Sequence, residues 1–200
     1  EFLEVGLWYR SRYFPKAGED MASASAREVL ATRRSVGVCD VSTLGKIDIQ
    51  GPDAGEFLNL LYSNGFKTLQ VGKARYGLML REDGILYDDG TASRLATDRY
   101  LMTTTTHNAA GVLAHMEFHH QCVWSGLDVQ FCSVTEQWAG LAVAGPRSRE
   151  LLSCVLPQIS LDNDEFPYMA AGEFMLQGMP LRLFRISFSG ELGYEIIAAA

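Results

Sequence analysis

Residues 46–61 read KIDIQGPDAGEFLNLL, and residues 140–155 read GLAVAGPRSRELLSCV. In the first stretch Lys46–Gln50 alternates polar and apolar side chains, the pattern of a half-buried strand. Gly51-Pro52 stops it. Pro52 suits the first position of a helix, where a backbone N–H is not needed. Phe57, Leu58, Leu60 and Leu61 then form the apolar stripe of an amphipathic helix. The second stretch repeats the order 94 residues later: a strand, Gly145-Pro146, then Leu151, Leu152, Val155 and Leu156. One shared Gly-Pro proves little, but the likeness runs over roughly a dozen positions and predicts two related α+β units.

Working outward, Ala74–Leu80 and Ile85–Leu95 read as strands joined at Glu82-Asp83-Gly84, a hairpin signal. Arg99–Thr105 is a third strand. Asn108 can cap a helix running to about His120, and Leu127–Val134 closes this unit as a strand. Gly172–Leu176 and Pro180–Ser187 form a second hairpin turning at Gln177-Gly178. Residues 22–36 read as a helix with Ser23 or Ser25 as N-cap. Residues 1–20 lack a clean period and read as a loop-rich lead-in. The fold class is α+β, with antiparallel sheets and packed helices. One subdomain is expected from residues 1–45 and 135–200, and the other from 46–134.

An apolar fraction of 48% beside a charged fraction of 20% describes an ordinary globular chain. The net charge of −7 argues against nucleic acid as a main partner, because phosphate binding needs a surplus of Lys and Arg. Apolar runs fall short of membrane-spanning length, so a membrane partner is not expected. Cys39, Cys122, Cys132 and Cys154 lack C-x-x-C spacing and lie among apolar residues. Free, buried, reduced thiols are expected, which favours a cytoplasmic setting. The sequence starts at Glu1 and stops at YEIIAAA, inside a strand pattern, so a piece of a longer protein is expected.

Two clusters could carry chemistry. In Tyr87-Asp88-Asp89-Gly90, adjacent strand residues point to opposite faces, so only one aspartate can face a given pocket. In SFSGELGYE, residues 187–195, Gly190 and Gly193 allow a sharp bend next to Glu191 and Glu195. The alternation before it puts Ile186 and Phe188 on a buried face and Arg185, Ser187, Ser189 and Glu191 on the other. A carboxylate held on such a bend can accept two parallel N–H bonds from a planar amidine-like group. Both clusters also suit solvated edge strands. His115 and His119 share a helix face at a spacing zinc can use. Further ligands are missing, so solvent-facing histidines are expected and no metal site. Signatures for dinucleotides, P-loops and α/β-hydrolases are absent.

The motifs CDVSTLGKIDIQGPDAGEFL, GKARYGLMLREDG, DDG and RISFSGELGYE resemble those of the folate-binding superfamily of the glycine-cleavage T-protein (aminomethyltransferase). REDGILYDDGTASRLATDRYLMTTTT and LFRISFSGELGYE are most like the branch formed by α subunits of heterotetrameric sarcosine oxidases. The resemblance runs from about residue 5 to the end of the chain. It implies two related ferredoxin-like units of the T-protein type, cut short at the C-terminal side. It implies tetrahydrofolate as ligand, with Asp89 near the nitrogens that accept the one-carbon unit and Glu195 pairing with the pterin. Tyr76 would line the pocket, with Asp88 and Glu191 close by and Thr103–Thr106 as further liners. Phe188 stands where the glycine-cleavage branch carries tyrosine. Flavins and NAD are expected on other parts of an intact oxidase, and its other subunits are the expected partners. An aminomethyltransferase and a non-catalytic scaffold of the same fold are the rival readings.

Overall fold

A computed structural model describes residues 1–200. It divides the chain into two units, Glu1–Thr43 with Trp138–Ala200, and Leu44–Gln137. No helix is long and apolar enough to cross a membrane.

The unit at 44–137 opens with β4 (Gly45–Gln50), the preceding strands and helix belonging to the other unit. After β4 come α2 (Ala54–Leu61), β5 (Lys73–Leu80), β6 (Leu86–Ala96), β7 (Arg99–Thr104), α3 (Ala109–Phe118) and β8 (Gln130–Ser133). A π-helical turn, His119–Val123, extends α3, and a 3-10 turn follows β8. The sheet is antiparallel in the order β5-β6-β7-β4-β8. One face carries the core: Ile47, Ile49, Met79, Ala92, Tyr100 and Met102 meet Phe57, Leu58 and Leu61 of α2 and Val112 and Met116 of α3. Burying these side chains supplies the main drive for folding, about 1.5–3 kcal/mol for each large one.

The other unit begins with the hairpin β1 (Phe2–Val5) and β2 (Trp8–Ser11), then α1 (Met21–Arg34) and β3 (Gly37–Asp40). It resumes with β9 (Trp138–Ala144), α4 (Ser148–Val155), β10 (Ala171–Leu176), β11 (Met179–Phe184) and β12 (Gly193–Ala199). Its sheet runs β10-β11-β12-β9-β3. Val143, Leu181, Leu183 and Tyr194 form its core with Leu152 of α4, Leu156 and Phe166.

The two units are permuted copies. The order strand, helix, three strands, helix, strand is continuous in residues 44–137. In the other unit the last helix and strand, α1 and β3, come first. Both Gly-Pro junctions adopt one geometry: φ is +138° at Gly51 and +128° at Gly145. The Gly51 N–H donates to the Asp98 carbonyl, and the Gly145 N–H to that of Leu192. Neither proline opens its helix. The helices start at Ala54 and Ser148, behind the caps Asp53 and Arg147, whose φ and ψ are −97°, 9° and −99°, 10°.

Other expectations change. The lead-in contains a hairpin. Helix α1 is capped by Asp20, with Ser23 completing a capping box at its third position. All four cysteines are free as expected but exposed. Phe188 is fully exposed. Strand β11 ends at Phe184, so the alternation read through residue 191 stops early.

Candidate functional site

Strands β5 and β6 present the first cluster. Tyr76 stands opposite Thr91, Gly77 opposite Gly90, Leu78 opposite Asp89 and Met79 opposite Asp88. Met79 belongs to the core face, so Asp88 projects toward it and Asp89 to the open face. Asp88 is only 6% exposed. Its Oδ1 accepts from the Thr105 hydroxyl at 2.6 Å and its Oδ2 from the Thr105 N–H at 3.2 Å. Burial pushes its carboxyl upward, and the two Thr105 bonds only partly offset that. Asp89 accepts at Oδ2 from the Tyr76 hydroxyl, 2.7 Å away. That bond, followed by burial, raises the Tyr76 pKa, so the phenol stays protonated at neutral pH. Beside them the Thr91 and Thr103 hydroxyls lie 2.9 Å apart. The glycine of the DDG motif is steric: a Cβ at Gly90 would run into the Thr103 carbonyl. Burial also raises the pKa of Tyr62 beneath this strand pair, with Asp88 and Asp89 adding to the effect.

Strand β12 and its approach carry the second cluster. Glu195 pairs with Ala142 of β9 and Phe184 of β11. Its neighbours Tyr194 and Ile196 face the core, so Glu195 lies on the opposite face of that sheet. Glu191 sits on the bend. It accepts from Arg33 Nη1 at 2.7 Å, which ties the bend to the last turn of α1. The Ser187 hydroxyl donates to the Glu191 carbonyl at 2.6 Å. Gly190 has φ +79° with open space around it, and a Cβ at Gly193 would come 2.7 Å from the Ile186 carbonyl. The bend is therefore built in, with Glu191 anchoring it and Glu195 two residues inside the strand it launches. Asp88, Asp89 and Tyr76 thus gather in one unit, and Glu191 and Glu195 in the other.

The histidines depart from the expectation of solvent-facing side chains. His115 stacks on Tyr87 at 4.7 Å and meets His119 at 4.2 Å, and His119 meets Trp124 at 4.9 Å. His119 Nδ1 donates to the His115 carbonyl. With Leu60, Leu80 and Arg81 they border a cleft of about 230 Å³. Groups of three or more metal-ligating side chains are absent.

Sequence reasoning missed Thr105 as the partner of Asp88, Thr91 as the neighbour of Tyr76 and Arg33 as the partner of Glu191. The basic last turn of α1 was a visible signal for Arg33; Thr105 lay in the Thr103–Thr106 run expected to line the pocket, and nothing local pointed to Thr91.

Taken together, the chain belongs to the family of the GCVT N-terminal domain, whose model matches residues 1–200. Its relatives divide between two kinds of protein. Sarcosine oxidase subunit alpha of Rhizobium meliloti (strain 1021) is 55% identical over 202 residues, covering 100% of this chain. The chain spans 20% of that relative's length. An aminomethyltransferase of Thermus thermophilus is 35% identical over 86% of this chain and 47% of its own. The glycine cleavage system aminomethyltransferase T from Bartonella henselae superimposes with a TM-score of 0.80 at 26% identity, over 98% of this chain and 49% of that one.

Proposed function

We propose that this chain is the tetrahydrofolate-binding region of a sarcosine oxidase α subunit, where the one-carbon unit released by sarcosine oxidation is captured. The observation that carries the reading is Asp89: a carboxylate on the open face of a sheet, held at one oxygen by Tyr76. Its other oxygen is available to an amine. The identity of 55% with an oxidase subunit, against 35% with an aminomethyltransferase, favours the oxidase setting over lipoyl-linked transfer.

Tetrahydrofolate supplies two amine nitrogens that together take up a one-carbon unit as 5,10-methylenetetrahydrofolate. Asp89 accepts an N–H from such an amine, orients it and stabilises positive charge developing on nitrogen. Glu195 accepts the adjacent amide and amino donors of the pterin edge, a bidentate match for one carboxylate. Asp88 stays on the core side and holds the strand through Thr105. Glu191 holds the bend that launches β12. In the intact enzyme, flavin and NAD belong to other parts of the polypeptide and to other subunits. With dioxygen as the electron acceptor, glycine and hydrogen peroxide leave as the remaining products.

The test uses the full-length oxidase supplied with sarcosine and tetrahydrofolate. Asp89→Asn should slow formation of methylenetetrahydrofolate about 100–1000-fold, leaving a measurable residual rate, while sarcosine oxidation continues and free formaldehyde accumulates. Glu195→Gln should weaken folate binding about 10–100-fold, the loss of hydrogen bonds to a charged acceptor. Unchanged capture in both variants would refute the folate reading and favour a scaffold of the same fold.

A further inference from the structure

Tyr76 and Asp89 are bound to each other in the protein alone, and the reason lies in the strand register. Tyr76 stands opposite Thr91, and Leu78 opposite Asp89. Tyr76 and Asp89 are therefore diagonal neighbours on one face, within reach of a long side chain. Between these two pairs Gly77 faces Gly90. A Cβ at Gly77 would come within 2.8 Å of the Tyr62 ring and 2.9 Å of the Phe66 ring. A Cβ at Gly90 would strike the Thr103 backbone. Glycine at both positions lets the strand pair pack directly against the core aromatics and the backbone of β7 in this register. The Tyr76 hydroxyl is thus delivered to Asp89 Oδ2 by the backbone.

We infer that Tyr76 is a positioning residue that fixes which oxygen of Asp89 meets the ligand. This inference rests on the assignment of Asp89 as the catalytic carboxylate. The terminal torsion of an aspartate is broad, so an unrestrained Asp89 could offer either oxygen or both. With the phenol on Oδ2, Oδ1 becomes the acceptor presented to the open face. One acceptor selects one N–H, the donor pattern of a secondary amine, and disfavours bidentate pairing with an amidine-like edge. Tyr76 remains a donor across the working range because its pKa is raised. The cost of ordering the carboxylate is met in the fold before the ligand arrives, which leaves the aimed oxygen preorganised for the charged nitrogen.

The experiment is a double-mutant cycle in the full-length oxidase, reading kcat and KM for folate-dependent capture in Tyr76→Phe, Asp89→Asn and the double variant. Tyr76 is 47% exposed and Phe keeps the ring, so unfolding midpoints should match the parent. Tyr76→Phe should lower kcat for capture about tenfold, the effect of one charge-assisted hydrogen bond, with the KM for folate changed less than twofold. In the Asp89→Asn background the same change should have no further effect, because Tyr76 acts through the carboxylate. Equal losses in both backgrounds would overturn the inference and make Tyr76 an independent contact. Full capture in Tyr76→Phe, with capture lost in Asp89→Asn, would overturn it while leaving the catalytic assignment standing. Full capture in Asp89→Asn would overturn both.

Discussion

Replacing Gly145 by alanine tests whether the Gly-Pro junction is a matter of conformation or of space. At Gly145 φ is +128°, and a Cβ would lie 2.5 Å from the carbonyl oxygens of Thr32 and Ser35 and 2.9 Å from Val36 Cα. Those are backbone atoms, so no side-chain rotation relieves the contact. The junction also has a purpose there: the Arg147 N–H donates to the Ser35 carbonyl at 2.9 Å, which seats α4 against the segment leading into β3. The backbone conformation alone should cost about 1–3 kcal/mol for a non-glycine residue. Overpacking against backbone adds about 1–3 kcal/mol. A total of about 2–6 kcal/mol follows, or a fall in melting temperature of roughly 4–24 °C for a chain of this size. Gly51→Ala should behave alike, since its Cβ would meet the Asp128 carbonyl and sit 2.9 Å from Val129 Cα. Gly178→Ala is the control: φ is +86° with open space around it, so only about 1–2 kcal/mol is expected. Urea denaturation followed by circular dichroism gives the costs, and amide exchange near Arg147 or Asp53 locates them. If Gly145→Ala and Gly178→Ala cost the same, close backbone approach is not what requires glycine at the junction.

Three further outcomes are expected. Thr105→Val removes the hydroxyl donor to buried Asp88 and should cost about 1.5–3 kcal/mol at neutral pH. The loss should shrink as pH falls and the carboxyl takes up its proton, which a pH series of urea melts would read. Arg27 clamps Glu19 and, with the Lys16 N–H, holds its carboxyl at about 2 instead of 4.5. The unfolded state binds that proton first, so the stabilisation is present above pH 4.5 and lost as pH falls toward 2; Arg27→Met should flatten the acid unfolding curve in that window. Burial, then neighbouring His119, lowers the His115 pKa from 6.5, with Glu82 acting the other way. The folded state prefers the neutral ring, so stability should fall as pH drops below 6.5, and His115→Phe should remove that loss in melts compared at pH 7 and 5.

The elements marked by turn chemistry were legible in the sequence. Gly84 and Gly178 announce their hairpins, and the Gly-Pro repeat announces two α+β units, because each relies on backbone conformations open mainly to glycine. Elements that depend on distant partners were not. Cys39 and Cys132 have apolar neighbours in sequence, but β3 and β8 are edge strands, and one side of an edge is open. The N-terminal hairpin carries exposed Phe2, Leu3, Leu7 and Tyr9, so no polar–apolar alternation marked it. The two aspartates are the sharpest case. Sequence alone says that one of them faces the open side. A register shift between Met79 and Leu80 decides which. Leu80 pairs with Leu86, and without the shift Leu78 would pair with Asp88 in place of Asp89. One irregular residue pair therefore sets the acid that Tyr76 reaches, and periodicity does not encode it.

The permuted repeat separates what the fold requires from what the chemistry requires. Laying β7 on β12 by their pairing with β4 and β9 superposes Tyr100 on Tyr194, and both are buried in their cores. The Gly-Pro junctions and the helix caps coincide as well. The same registers, carried one and two strands further, set Tyr76 against Glu173, Thr91 against Arg182 and Asp89 against Pro180. Glu195 falls against Leu101. In one unit the open face carries the Tyr76–Asp89 pair. At the matching positions of the other, Glu173 accepts from buried Arg182, whose guanidinium lies 4.1 Å over the Trp138 ring. Positions that shape the backbone are held in common, and those that could meet a ligand have diverged. Two carboxylates with different tasks need this divergence, because a copy that repeated its twin's acid would repeat its twin's chemistry. On the proposed reading, Asp89 serves an amine and Glu195 an amide-and-amino edge, which is why neither has an acidic counterpart across the repeat.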